Sequence, residues 1–198
     1  MKFFEKAKQF DIILGSNSPR RKQLLLESGI PFRVMPNNSN ENFPENLSPS
    51  EIVTYLSKNK AKSYKEELKK TGVIVITADT IVVNGSQILN KPADKKEAIK
   101  MLQNLSGNTH EVITGVTIST INSEQSFYDK TLVSFATLDD EEILHYIESC
   151  KPFDKAGSYG IQEWIGIIGI EKISGSFHNV VGLPVHKVYS VIKSIVSA

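Results

Sequence analysis

Residues 73–79 read VIVITAD, a run of β-branched and small residues that closes on an aspartate. A strand with one wet face alternates apolar and polar residues, and this one does not. It therefore reads as a central strand, too uniformly apolar for one-sided exposure, and together with the helices between the strands it points to an α/β fold. The residues that follow, TIVVNGSQIL, read as a hairpin turning at Asn84-Gly85.

The rest of the chain supplies the covering elements. DIILG (11–15) reads as a short buried strand that ends at glycine. Pro19 suits the first turn of a helix that runs through RRKQLLLES to a stop at Gly29. Ser48, Pro49 and Glu51 form a capping-box start for a long helix with Ile52, Tyr55, Leu56 and Ala61 as its inner stripe and KSYKEELKK as its solvated end. Asp94 and Glu97 open another helix, closed by Gly107. HEVITGVTIST and QSFYDKTLVSFATL read as two long paired strands, and DEEILHYIES as a helix with its acids at the favourable end. Beyond it come the loop DKAGSYGIQ, a strand-like stretch WIGIIGIEKI, the loop SGSFHNVVG and a last helix from Pro184. The pattern predicts a mixed sheet flanked by helices, with no repeat and no linker that would divide the chain.

Composition narrows the function classes. A formal net charge of +1 over 198 residues argues against holding nucleic acid by bulk electrostatics, so any anion site must be local. No apolar run follows the lysines of MKFFEKAKQFD, and no later segment is long enough to span a bilayer, so the expected compartment is the cytoplasm, with no membrane partner. The one cysteine, Cys150, excludes an internal disulfide and reads as a small buried thiol.

Three stretches carry candidate chemistry. In LGSNSPRRKQLL (14–25) a polar loop enters a helix, where unsatisfied N–H groups and partial positive charge are ready for an anion. Ser16, Asn17 and Ser18 add neutral donors, and Arg20 and Arg21 add a geometry that suits phosphate oxygens. The stretch is a phosphate cradle or, equally consistent with these residues alone, a capped surface helix with two solvated arginines. Asp79 places an acid at the end of an apolar strand, a position for a metal ligand, a general base or a hydrogen-bonded structural acid. Lys91 precedes Pro92 and projects from an extended loop, where on its own it also reads as a plain surface lysine; DKAGSYGIQ (154–162) combines glycines with the amide of Gln162, which can both donate to and accept from a base edge, or is a plain glycine-rich turn.

The segments SNSPRRKQLL, NENFPENLSPSEIVTYLSKNKA, ITADTIVV, NKPADKKEAIKMLQNLSGNTHEVITGV, DKAGSYGIQ and GSFHNVVGLP, in this order, resemble the Maf family of nucleoside triphosphate pyrophosphatases over almost the whole chain, from about Asp11 to the last helix. The resemblance implies a single Maf-like domain over residues 1–198, in two lobes with no separate linker. Its implied fold is a mixed α/β sheet related to the inosine triphosphate pyrophosphatases, with the active-site cleft between the lobes. It implies hydrolysis of a nucleoside triphosphate to the monophosphate and pyrophosphate with Mg²⁺ or Mn²⁺, in the service of nucleotide-pool cleansing. Members are often homodimers, and the family name is associated with septum formation.

Carried onto this chain, the resemblance makes Asp79, Lys91, Lys60 and Arg20 the catalytic set. Ser16, Ser18, Arg20, Arg21, Lys60, Lys91 and Gln162 become the substrate-binding set, and Glu41 and Asp79 the metal ligands. Asp79 is then either a metal ligand or the base that activates water. The IQ of DKAGSYGIQ resembles the subgroup acting on dTTP and UTP; the subgroup acting on 7-methyl-GTP usually carries an acid in place of this glutamine. Two positions depart from the pattern: Asn40 stands where many members carry aspartate, and Asn90 where glycine is common. The alternatives are a 7-methyl-GTP pyrophosphatase and a non-catalytic, nucleotide-binding regulator of cell division.

Overall fold

The computed structural model describes residues 2–36 and 42–197. In chain order the described elements are α1 (Phe3–Ala7), β1 (Asp11–Leu14), α2 (Pro19–Glu27), β2 (Arg33–Val34), α3 (Pro49–Ala61), β3 (Val73–Asn84) and β4 (Gln87–Leu89). After these come α4 (Lys95–Leu105), β5 (Thr109–Ser119), β6 (Glu124–Phe135), α5 (Asp140–Cys150), α6 (Trp164–Ile168), β7 (Ile170–Ser174), α7 (Phe177–Val181) and α8 (Val185–Ser197). The strands make one seven-stranded mixed sheet in the order β2-β1-β3-β5-β6-β7, with β4 paired to β3. The fold is mixed α/β, as the uniformly apolar run at 73–79 requires. Among the described residues no helix is long and apolar enough to cross a membrane.

The chain divides into two compact units. One comprises Met1–Asp79, Thr114–Asp129 and Gly182–Ala198, the other Thr80–Ile113 and Lys130–Val181. In the first unit β1 pairs in parallel with both β2 and β3, Leu14 lying opposite Ile76. Ile12, Ile13, Leu14, Ile74, Val75 and Ile76 are all buried. Ser48 starts α3 as its sequence predicts, its N–H and hydroxyl donating to the Glu51 carboxylate at 2.8 and 2.6 Å.

α3 lies against the sheet at successive levels, each set by a residue pattern. At Gly115 the helix backbone comes so near that a Cβ there would stand 2.4 Å from the Val53 carbonyl. One helical turn on, the Ser57 hydroxyl lies 2.9 Å from that of Thr117, and Thr77 donates to the Ser57 carbonyl at 2.7 Å. These three hydroxyl residues are fully buried, so each bond is worth roughly 1 kcal/mol, and leaving a partner unpaired costs more. Because strand side chains repeat every two residues and helix side chains every three or four, the next level up pairs Asp79 with Lys60.

The second unit has its own core, in which Val82, Leu89, Met101, Leu102, Leu105, Val133, Phe135, Tyr146, Tyr159 and Ile165 pack together. Asp94 caps α4 by accepting from the N–H of Glu97 at 2.8 Å, and Asp139 caps α5 in the same way through Glu142. Within this core His110 is 1 % exposed. Its Nε2 lies 2.8 Å from the Tyr159 hydroxyl, while its Nδ1 has no hydrogen-bond partner.

Several local expectations are corrected. Tyr55 is exposed and Val53 takes its place in the inner stripe, because the buried face of α3 is Ile52, Val53, Leu56, Ser57 and Ala61. The α3 helix stops at Ala61, and two 3₁₀ turns follow it, burying Tyr64 rather than leaving KSYKEELKK wholly solvated. WIGIIGIEKI splits into the α6 turn and β7, and SGSFHNVVG contains α7. Cys150 is half-buried.

Burial pulls the His110 imidazole down from its ordinary value of 6.5 to about 4. The unfolded chain takes up this proton near pH 6.5 and the folded chain only near 4, so the His110 contribution to stability is intact above 6.5 and is lost as pH falls through that window. Chemical denaturation at pH 7 and pH 4 should show a loss larger by about 3 kcal/mol for the parent than for His110→Gln. Equal losses would place the imidazole in a solvated setting instead.

Candidate active site

The loop after β1 is built around a close approach. Gly15 continues the strand pairing, its N–H donating to the Ile76 carbonyl at 2.8 Å. A Cβ at this glycine would lie 2.7 Å from the Tyr64 hydroxyl, which itself donates to the Met35 carbonyl at 2.6 Å. No side chain fits at position 15, and the polar residues follow at once.

Ser16 and Ser18 shape the helix mouth. Ser18 is the N-cap of α2, its hydroxyl accepting from the Arg21 N–H at 3.4 Å, with Pro19 in the first turn. The Ser16 hydroxyl, 8 % exposed, accepts from the Ser18 N–H at 3.2 Å. Arg21 then knits three segments together. Its Nε donates to the Gly182 carbonyl at 2.8 Å, and its Nη1 to the Ala78 carbonyl at 2.8 Å and the Ser16 hydroxyl at 3.3 Å. The helix is capped by serine, and its two arginines are half-buried rather than solvated.

The bond from Arg21 to Ala78 places the helix mouth next to Asp79. This carboxylate and the Lys60 ammonium form a direct ion pair in which both side chains are 11 % exposed. A carboxylate this far from water costs several kcal/mol unless a cation holds it, and Lys60, one level above Ser57 on α3, is that cation. Ser16, Ser18, Arg20, Arg21, Lys60 and Asp79 all belong to the first unit. Glu41 and Asn40 lie outside the described residues.

Lys91, Gln162 and the DKAGSYGIQ loop belong to the second unit. Lys91 is exposed, and its neighbour Pro92 is buried. The Asn90 carbonyl accepts from the Gly157 N–H at 3.2 Å, which ties the Lys91 loop to the glycine-rich loop. Gly157 (φ 70) and Ser158 (φ 61) are consecutive left-handed residues. A Cβ at Gly157 would press on Val82 at 3.1 Å, and Ser158, fully buried, donates to the Met101 sulfur at 3.0 Å. A left-handed serine costs of order 1 kcal/mol and persists only where its surroundings hold it. Gln162 is exposed, in a turn just before α6.

Sequence reasoning missed the groups that hold that turn. Lys155, whose side chain is 8 % exposed, pairs with Asp154 at 2.8 Å and with Glu163 at 3.0 Å. The Tyr146 hydroxyl donates to the other Glu163 oxygen and accepts from the Gly160 N–H at 2.9 Å. Burial and the adjacent Glu163 carboxylate push the Tyr146 hydroxyl well above its ordinary range, so it stays a donor. A signal was present in DEEILHYIES: a tyrosine on the inner face of an amphipathic helix needs a buried partner for its hydroxyl.

Among the described residues no group of three or more histidine, cysteine, aspartate and glutamate side chains could hold a metal ion. Of the two expected ligands, Asp79 is the one among the described residues, and its carboxylate accepts from Lys60. Such a set fits a hydrated, oxygen-seeking cation, which takes one or two carboxylates together with water and phosphate oxygens.

The class follows from these features: a mixed α/β protein whose first unit sets a serine-capped, arginine-lined helix mouth beside a lysine-held carboxylate. Comparison with known proteins supplies the family. The profile of the family described as Maf-like protein matches residues 11–195, and the chain belongs to that family.

A protein of Cytophaga hutchinsonii named dTTP/UTP pyrophosphatase is 55 % identical over 177 residues, 89 % of this chain and 80 % of that one. A Porphyromonas gingivalis protein of the same name is 48 % identical over 189 residues, 94 % of each chain. A third, from Phocaeicola vulgatus, is 48 % identical over 193 residues, 96 % of this chain and 99 % of that one. Among solved structures, the Staphylococcus aureus Ham1 protein is similar with a TM-score of 0.41 and 16 % identity, covering 64 % of this chain and 72 % of that one.

Arg21 is the residue on which the helix mouth most depends. Its fork reaches two backbone carbonyls that a lysine ammonium cannot reach together. Arg21→Lys should cost about 1–3 kcal/mol, a fall in Tm of roughly 3–8 °C in a thermal melt. A variant that melts with the parent would show that the loop holds its shape without the fork.

Proposed function

We propose that this protein hydrolyses dTTP and UTP to the monophosphate and pyrophosphate. The observation that carries this reading is the Lys60–Asp79 pair beside the helix mouth: a binding protein for a polyanion gains nothing from a buried acid, whereas a hydrolase needs one. The shared name of the relatives at 48–55 % identity supports the choice of nucleotide.

In this reading the attacking oxygen is that of a water and the leaving group is pyrophosphate. Asp79 accepts the water's proton or orients the water, and Lys60 holds the carboxylate so that one face is committed and the group cannot swing away. Ser16, Ser18, Arg20 and Arg21 bind phosphate oxygens, Arg21 mainly by fixing the loop. Lys60, Lys91 and Arg20 offset the charge that grows on the departing pyrophosphate, the larger part of the acceleration in phosphoryl transfer. Gln162 reads the edge of the pyrimidine. The donor set suits Mg²⁺ or Mn²⁺ at Asp79, with Glu41 as the second ligand; when bound, such an ion neutralises phosphate charge and polarises the phosphoryl oxygens. The working compartment is the cytoplasm, and the role is removal of unwanted nucleotides from the pool.

The test is pyrophosphate release from dTTP, UTP, CTP, GTP, ATP and 7-methyl-GTP with Mg²⁺ or Mn²⁺, alongside Asp79→Asn checked for its fold by circular dichroism. Release from dTTP and UTP should fall at least about 100-fold in the variant. A folded variant within twofold of the parent would remove Asp79 from the chemistry. A silent panel in a protein that still binds nucleotide would favour a regulator instead.

A further inference from the structure

Gln162 is exposed, yet the turn that carries it is tied down at both ends. The Glu163 N–H donates to the Gly160 carbonyl at 2.9 Å, so residues 160–163 close one turn, with Ile161 buried at one corner and Gln162 outside at the other. Both ends are tied to one hydroxyl: Tyr146 accepts from the Gly160 N–H at 2.9 Å and donates to the Glu163 carboxylate. Lys155 closes the far side of that carboxylate at 3.0 Å.

Two glycines make this packing feasible. A Cβ at Gly160 would lie 2.7 Å from the Glu163 carboxyl carbon, and one at Gly166 would lie 1.8 Å from the Ile161 carbonyl oxygen. The Glu163 carboxylate therefore sits directly over the Gly160 backbone, and α6 begins directly beneath the turn. A buried lysine and a largely buried glutamate cost desolvation free energy that an apolar pair would not, and surface-loop stability alone does not account for them. What they do provide is a turn with a single geometry.

We propose that Lys155, Glu163 and Tyr146 form a positioning clamp that holds the Gly160–Glu163 turn and so presents the Gln162 amide in one place for the nucleobase. Glu163 is its central positioning residue. The clamp governs which base is accepted, not how fast the anhydride is cut, and this rests on the reading of the chain as a dTTP/UTP pyrophosphatase. Pre-set polar groups discriminate because a wrong base leaves them unpaired; a loose amide adapts and discriminates less.

The experiment compares Tyr146→Phe and Glu163→Gln with Gln162→Ala and the Tyr146→Phe/Gln162→Ala double variant, in the full chain. Tyr146→Phe keeps the buried ring and removes only the hydroxyl link. Each clamp variant should raise KM for UTP about tenfold with kcat within about twofold, and should shrink the preference for UTP over GTP towards that of Gln162→Ala. The double variant should lose no more than Gln162→Ala alone, which is the sign of one pathway. Amide exchange across residues 160–163 should be faster in both clamp variants.

Unchanged KM and base preference, kcat losses equal for every nucleotide, losses that multiply in the double variant, or unchanged amide exchange would each overturn the clamp. If the parent protein turns over neither dTTP nor UTP, the reading of its activity falls. The clamp is then decided by the exchange data together with the ratio of UTP to GTP affinities measured by equilibrium binding.

Discussion

A carboxylate that closes a run of six buried strand residues, 73–78, is the constraint around which the first unit is arranged. Asp79 cannot stand there without a cation, and Lys60 can reach it only if α3 keeps its register on the sheet. That register is set below the pair by Gly115, which admits the helix backbone, and by the buried hydroxyls of Ser57, Thr77 and Thr117, which link the helix to the two strands. The helix mouth is fastened to the same strand one residue earlier, through Arg21 and the Ala78 carbonyl. Moving α3 by one turn would part Lys60 from Asp79 and Ser57 from Thr77 and Thr117 at once, so an alternative packing loses several contacts together.

The second unit solves a different problem with similar means. Its glycine-rich loop must hold left-handed backbone at Gly157 and Ser158 and still offer an exposed amide at Gln162. Ser158 is anchored against Met101 and Gly157 against Asn90, while the Tyr146 hydroxyl fastens the following turn. Asn90 needs no left-handed backbone for this: its contribution is the carbonyl that receives the Gly157 N–H.

Much of this was legible in the sequence where one physical rule acted alone. The unbroken apolar run of β3, the Ser48–Glu51 box and the Asp94 cap all fold as their residues demand. Legibility failed where two rules competed. WIGIIGIEKI is apolar enough for a strand, but Gly166 lets the chain coil tightly on Ile161, and a five-residue helix precedes β7. Tyr55 sits at helical spacing from its apolar neighbours yet faces outward, because Val53 meets the sheet at Gly115. For the site, the residue types singled out Arg21 and Asp79 and the family resemblance added Lys60, but neither reported that Lys60 pairs with Asp79. The roles of Lys155, Glu163 and Tyr146 depend on contacts across 8 to 17 residues, which no local pattern reports.

The anchor of the helix mouth has a consequence for how the protein comes into being. Arg21 reaches the Gly182 carbonyl, 161 residues further along the chain. A nascent chain that has exposed everything from Ser16 to Asp79 already carries Ser16 and the Ala78 carbonyl for one arm of the arginine, but not the Gly182 carbonyl for the other. Competence is thus timed by synthesis: the ribosome must deliver nearly the entire polypeptide before the loop stiffens. The contact that completes the helix mouth is among the last to be translated.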